Sequence, residues 1–280
     1  MKTLSPDQLA LAYREACMQE LQALKPGNVH IFADGHRMTI HHFFKSIDAS
    51  ANILCQPDLT VGERIFGAVK ATKEAVGLNT NLGIILLCAP LVQARLQAHQ
   101  FQSLSESLNQ VLNDLTVDDG MLASHAIVLA NPAGLGSVDQ YDVHLPVEVN
   151  LLEMMRAAQH VDRIAWQYAN AFLDILGFGV QCFDEAMAKW QNTAYATTAV
   201  YLGFLTHQLD THIMRKHGNP LAMTVMAEAQ AIEADFMASE NPKLLQKRLM
   251  DWDASLKARN LNPGTSADLT VASLLAKALI

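Results

Sequence analysis

Helix-start signals recur along this chain, and strand signals almost never do. Ser5-Pro6-Asp7-Gln8 joins a capping serine, a proline at the first helical position and a glutamine able to close a capping box. Thr60-Val61-Gly62-Glu63 and Ser103-Leu104-Ser105-Glu106 repeat the box, and Asn150 has Glu153 at the same spacing. Asn219-Pro220 and Asn241-Pro242 each pair a capping asparagine with a proline, and Ser266 can cap a last helix through Ala276. A helix leaves its first four N–H groups without internal partners, so residues that satisfy them mark where helices begin.

Between these starts the chain predicts a helix to about Leu24, stopped by Lys25-Pro26-Gly27, and another ending near Gly77. A long one is expected from Asn150 to Gly177. Only Val138 to Val147 alternates in polarity, and Pro146 with its polar neighbours favours a loop there. The expected fold is all-α: a single compact bundle of about ten helices, one domain over residues 1–280, with Asn131–Pro146 as a surface segment.

Charge narrows the function. With 20 lysines and arginines against 28 aspartates and glutamates, the formal net charge is -8, which is not the electrostatic footprint of a nucleic-acid binder. Phosphates would have to be held locally, by a few cations, helix N-termini and Mg2+. The longest apolar run, Ile84 to Val92, is interrupted by Pro90 and is about half of what a bilayer needs. Cys17, Cys55, Cys88 and Cys182 show no C-x-x-C spacing and read as buried thiols. A cytoplasmic protein is expected, acting on small molecules with neither nucleic acid nor membrane as partner, as a monomer or a homodimer.

Four segments mix glycine or proline with polar groups. The first runs from Glu20 through Lys25-Pro26-Gly27 to His30, and the second is Gly77-Leu78-Asn79-Thr80-Asn81-Leu82-Gly83. The third is His207 to His212, with Asp210-Thr211, followed by Arg215, Lys216 and Gly218; the fourth is Asn260 to Asp268. Glu20 reads as a solvated glutamate or as a metal ligand or base. The second and fourth segments read as plain capping or as two glycine-bearing helix entrances suited to a polyphosphate. Zinc lacks an H-E-x-x-H or a cysteine–histidine group, so Asp210 suits Mg2+ shared with phosphate oxygens better. No P-loop, dinucleotide-binding or G-x-S-x-G motif is present.

In this order the four segments resemble the triphosphoribosyl-dephospho-coenzyme A synthase family. Its members carry a glutamate shortly before K-P-G, then G-V-N-T-H-K-G, D-T-N and N-x-[SN]-P-G-x-[SA]-A-D-L. The matches here are Glu20 with Lys25-Pro26-Gly27; Gly77 to Gly83; Asp210-Thr211-His212; and Asn260 to Leu269. Ser46, and Arg64 with Gly67, fall where the family has a serine and an R-x-x-G. The resemblance implies an all-helical transferase. It joins the triphosphoribosyl part of ATP to the 2'-hydroxyl of 3'-dephospho-CoA and releases adenine, with Mg2+ as cofactor. By resemblance, Glu20 and Asp210 are the candidate carboxylates for catalysis, and Glu20, Asp210 and Asp268 for metal. Lys25 and Arg64 would hold phosphates. Gly27, Asn79, Thr80, Gly83, Thr211, Asn262, Pro263, Gly264 and Ser266 would line the nucleotide site.

Three departures qualify this. His30 replaces a family acid, Arg37 stands near a family aspartate, and Asn81-Leu82 replace a family histidine and lysine. The alternatives are a divergent member that serves tetrahydromethanopterin-type pterin cofactor biosynthesis with another acceptor, or a helical binding protein without catalysis. In any of these, Glu20, Asp210 and the 262–268 turn are expected to meet around one polar pocket.

Overall fold

The structure, a computed structural model, describes residues 4–98, 102–132, 143 and 145–280. Most of the loop expected over Asn131–Pro146, and of the weak alternation over Val138–Val147, lies outside the described residues. Among the described residues there is no strand. Fourteen α-helices follow one another: α1 (Pro6–Gln22), α2 (Ile40–Leu54), α3 (Val61–Val76), α4 (Leu82–Gln97), α5 (Leu104–Asn113), α6 (Val117–Ala130), α7 (Leu151–Ala158), α8 (Arg163–Ala169), α9 (Val180–Trp190), α10 (Thr193–His207), α11 (Thr211–His217), α12 (Asn219–Ala238), α13 (Gln246–Ala258) and α14 (Gly264–Leu279). A π-helical segment, Asp174–Gly179, leads into α9, and a 3-10 turn, Pro242–Leu245, leads into α13.

The all-helical expectation holds, but among the described residues fourteen α-helices replace about ten. The stretch expected as one helix from Asn150 divides. Asp162 accepts the N–H groups of Ile164 and Ala165 and so starts α8 afresh. Ala171 and Phe172, at φ 51 and 59, then break the chain before the π-helical segment. Two capping boxes escaped the S/T-x-x-E/Q pattern. At α2 the third residue of the box is His42, whose Nδ1 accepts the Thr39 N–H at 3.1 Å; at α6 it is Asp119, pairing with Thr116. Near Asn219 the N-cap is Gly218, not the asparagine.

Helices α4, α10 and α14 are buried on nearly every side, as helices that are apolar all round must be. One group of core residues joins α1 through α8 with α14, and a second joins α10 to α13. Helices α10 and α14 belong to both, through Val200 and Tyr201 and through Leu269 and Ala267. The chain thereby sets α14 as a shared axis, with α1, α4 and α10 packed along it.

Pro90 does not end α4; the helix runs through it. Proline has no N–H for the carbonyl four residues back, which is that of Leu86. The Tyr168 hydroxyl of α8 donates to that oxygen at 2.6 Å. Tyr168→Phe should therefore leave the Leu86 carbonyl buried without a partner and lower stability by about 1–3 kcal/mol. Denaturant unfolding would measure the loss, and Pro90→Ala in the same background should recover part of it by restoring the N–H. A Tyr168→Phe protein as stable as the parent would refute this account.

Candidate functional site

The first segment closes on itself. Glu20, in the last turn of α1, forms a fully buried ion pair with Lys25. Lys25 Nζ also donates to Asn28 Oδ1 at 3.1 Å, and Asn28 Nδ2 donates to Asn262 Oδ1 at 2.8 Å. Burial raises the Glu20 carboxyl and lowers the Lys25 ammonium, and each partner pulls the other back toward its charged form. Gly27 sits at φ 85, where a side chain would be strained and a Cβ would lie 2.8 Å from Pro263 Cδ. The Lys-Pro-Gly and Asn-Pro-Gly turns, more than two hundred residues apart, are thus packed face to face.

Asp210 is the N-cap of α11 and the tie between α11 and α14. One of its oxygens accepts the Ile213 N–H at 3.1 Å; the other accepts the Ser266 N–H and hydroxyl, both at 2.8 Å. Ser266 therefore donates to another helix's cap instead of capping α14, which starts two residues earlier. Thr211 Oγ1 meets Thr265 Oγ1 at 3.0 Å and accepts the Arg163 N–H at 3.2 Å, which fixes α8 to the same junction.

The second segment shapes the entrance of α4. Asn79 Oδ1 accepts the Leu82 N–H at 3.2 Å. Thr80 Oγ1 lies 2.5 Å from Ser46 Oγ, and Asn81 Nδ2 donates to Ser50 Oγ at 3.3 Å, so α2 supports this turn from behind. Gly83 is required by what faces it: the Asp268 carboxylate leaves no room for a Cβ there.

These pieces enclose a cavity of about 500 Å³. Of the residues that the resemblance assigns to the site, seven line it: Glu20, Asn79, Thr80, Gly83, Asn262, Gly264 and Asp268. Lys25, Gly27, Asp210, Thr211, Pro263 and Ser266 stand behind that wall and hold it. Arg64 is elsewhere. Its guanidinium is buried, donating to the carbonyls of Leu54, Leu59 and Gln56 and to Gln93 Oε1 at 2.7 Å, and so binds α3 to the end of α2 and to α4.

Asp268 is the distinctive group. It is half-buried in the cavity wall and has no hydrogen-bond or ion-pair partner among the described residues. Burial first, then the nearby Glu20 and Asp210 carboxylates, push its carboxyl well above the usual range. Three cations line the same cavity: Arg215, whose charge acts on Asp268, and Lys216 from α11, and Arg37 from the loop before α2. Arg215 pairs with Asp162, and its Nε is left without a partner. His212 lines the same wall; burial, followed by Arg215 and Lys216, lowers it to about 4, so its ring is neutral near pH 7. His30, in place of a family acid, is buried against Asp253 at 3.4 Å and does not reach the cavity.

Sequence reasoning gave no role to Arg215 and Lys216 and did not notice Asp162, Ser124, Met154 or Met155, all of which line the cavity. Arg215 and Lys216 sit one helical turn past the Asp210 cap, and that spacing was the available signal. Nothing in the apolar periodicity of α6 and α7 distinguished a cavity wall from core. Among the described residues no group of three or more acidic, histidine or cysteine side chains could hold a metal. Glu20, Asp210 and Asp268 do not form such a group, because both Asp210 oxygens are engaged by α11 and α14. The four cysteines are unpaired thiols, three of them buried. No helix among the described residues is long and apolar enough to cross a membrane.

Over residues 6–280 the chain matches the sequence profile of a family described as ATP:dephospho-CoA triphosphoribosyl transferase. Among solved structures it is similar to one from Archaeoglobus fulgidus, which carries a provisional description as a triphosphoribosyl-dephospho-coA synthase. The TM-score is 0.64 at 20% identity, covering 85% of this chain and 97% of that one, a likeness of fold. No curated protein matches the chain significantly.

Proposed function

Because this chain belongs to the ATP:dephospho-CoA triphosphoribosyl transferase family, we propose that the cavity between α1, α4, α11 and α14 is where it carries out that reaction. The enzyme is a transferase that moves the triphosphoribosyl part of ATP to dephospho-CoA and releases adenine. The observation that carries the site assignment is Asp268: an unpartnered carboxylate that shares with Arg215 and Lys216 a cavity entered by the first turns of α4 and α14.

The chemistry needs three things from the chain. The triphosphate needs positive charge, which Arg215, Lys216, Arg37 and the positive dipole ends of α4 and α14 supply. The ribose gains positive charge as its bond to adenine breaks, and the Glu20 and Asp268 carboxylates lie where they can stabilise it. The acceptor hydroxyl must lose a proton as it bonds to the anomeric carbon. Asp268 accepts it best, since a carboxyl with a raised pKa is the stronger base. Glu20, paired with Lys25, is the second carboxylate of the site. The proton equivalent lost by the hydroxyl ends on the departing adenine.

Magnesium fits this donor set. Mg2+ is commonly held by one or two carboxylates together with substrate phosphates, and Glu20, which lines the cavity, would be the carboxylate here, leaving Asp268 free as the base. When bound, it would supply neutralising charge on the triphosphate. Asp210, Thr211, Ser266 and Lys25 act by position: they hold α11, α14 and Glu20 in place. A biosynthetic step that consumes ATP suits the cytoplasm.

The test is to incubate the protein with ATP, Mg2+ and dephospho-CoA and to separate free adenine by chromatography. Adenine should appear with the triphosphoribosyl product only when both substrates are present. Absence of adenine with pure, folded protein would overturn the assignment.

A further inference from the structure

The cavity has a second chemistry beyond its charged end. Another part of its lining comes from α6 and α7 and is mostly apolar: Ser124 and Ile127, with Met154 and Met155. One hydroxyl interrupts it. Ser124 is 1% exposed, and the contact its Oγ makes is 4.0 Å to the thioether of Met154. Thioether sulfur is a weak acceptor, while buried hydroxyls are nearly always well hydrogen-bonded. A buried donor with so poor a partner, lining a cavity, is a group waiting for a ligand.

We propose that this apolar half is a pocket for a purine base, packed against Met154 and Met155 and hydrogen-bonded by Ser124 Oγ. The proposal rests on the reading of the charged end as the triphosphate site. A nucleotide is heavily charged at one end and flat and weakly polar at the other. With the triphosphate toward Arg215 and Lys216 and the sugar beside Asp268, the base is left to the uncharged lining from α6 and α7. Thioethers pack favourably on aromatic rings and adapt to their shape. A serine hydroxyl donates or accepts, so it can serve a ring nitrogen or an exocyclic amine. Both ATP and dephospho-CoA carry adenine, and the pocket chemistry is the same for either.

Free adenine is the probe, used by calorimetry on the intact protein and then as an inhibitor of turnover, with inorganic triphosphate as the control for the charged end. Adenine should bind, and Ser124→Ala should weaken it by about three- to tenfold, the worth of one hydrogen bond, with triphosphate binding unchanged. Ile127→Trp, at a half-buried position, should block adenine by filling the pocket and should also spare triphosphate. Competition against ATP would mean that the donor's base sits here, and competition against dephospho-CoA the acceptor's; either supports the pocket. If triphosphate binds but adenine does not, or if adenine binds the parent and both variants equally, the pocket is overturned while the reading of the charged end stands. If adenine binds as described but triphosphate does not and no turnover occurs, the pocket stands and the reading of the charged end fails.

Discussion

Replacing Asp268 by asparagine should reduce adenine release by about a hundredfold or more, the usual range for losing a positioned proton acceptor and a carboxylate beside a developing cation. The change keeps the shape that Gly83 is packed against, so the cavity should remain intact. It removes a charge that the empty protein holds at a cost, because burial and the neighbouring Glu20 and Asp210 all disfavour the ionised form. The same variant should therefore be as stable as the parent or more stable, a separation of activity from stability that a purely structural aspartate would not show. The pH dependence has a definite sign. A carboxyl whose folded pKa lies above its unfolded value binds its proton more tightly in the folded state. Its stabilising contribution is thus present at low pH and is lost as pH rises through the folded value. The parent should lose that contribution on passing from acid toward neutral pH, and Asp268→Asn should not. Full activity in the variant, measured as adenine released per minute at saturating ATP, would remove Asp268 from the chemistry.

The contrast between what the sequence announced and what it concealed follows from locality. Capping boxes are local hydrogen-bond arrangements, so Ser5, Thr60, Ser103 and Asn150 marked their helices correctly. The boxes closed by His42 and Asp119 use the same geometry with less common residues and passed unseen. The four glycine- and proline-bearing segments were recognisable as sites because turns of that kind are seldom needed merely to join helices, and they do meet around one cavity. Which side chains face the cavity was not legible. Arg64 and Lys25 look in sequence like surface cations free to bind phosphate. Burial commits one to backbone carbonyls and the other to Glu20. Conversely, Arg215 and Lys216 were visible but unassigned, since their approach to Asp268 depends on how α11 meets α14. That angle is set by a bond between Asp210 and Ser266 spanning 56 residues of chain.

That bond leads to the largest expected loss of stability. Asp210→Ala removes the acceptor for three donors at once: the Ile213 N–H, the Ser266 N–H and the Ser266 hydroxyl. All three are buried, and none has another partner within the same junction. Each unsatisfied buried donor costs roughly 1–3 kcal/mol, and losing a helix cap is worth about 1 kcal/mol, but neighbouring losses overlap. A net loss of about 3–5 kcal/mol is expected, a large share of the stability of an ordinary domain. Asp210 is itself costly to bury ionised, since burial raises its pKa against the pull of its donors. Part of the loss is therefore offset, and the lower end of the range is the more realistic. Asp210→Asn retains one carbonyl oxygen and can keep either α11 capped or the Ser266 contact, so it should fall between the parent and alanine. Activity should decline in both variants because α11 carries Arg215 and Lys216 and α14 carries Asp268. That decline should be recoverable at low temperature, where the fold persists. If Asp210 instead held the metal directly, Asp210→Asn would be inactive at every temperature with an unchanged melting temperature, and comparing the two profiles decides between the roles.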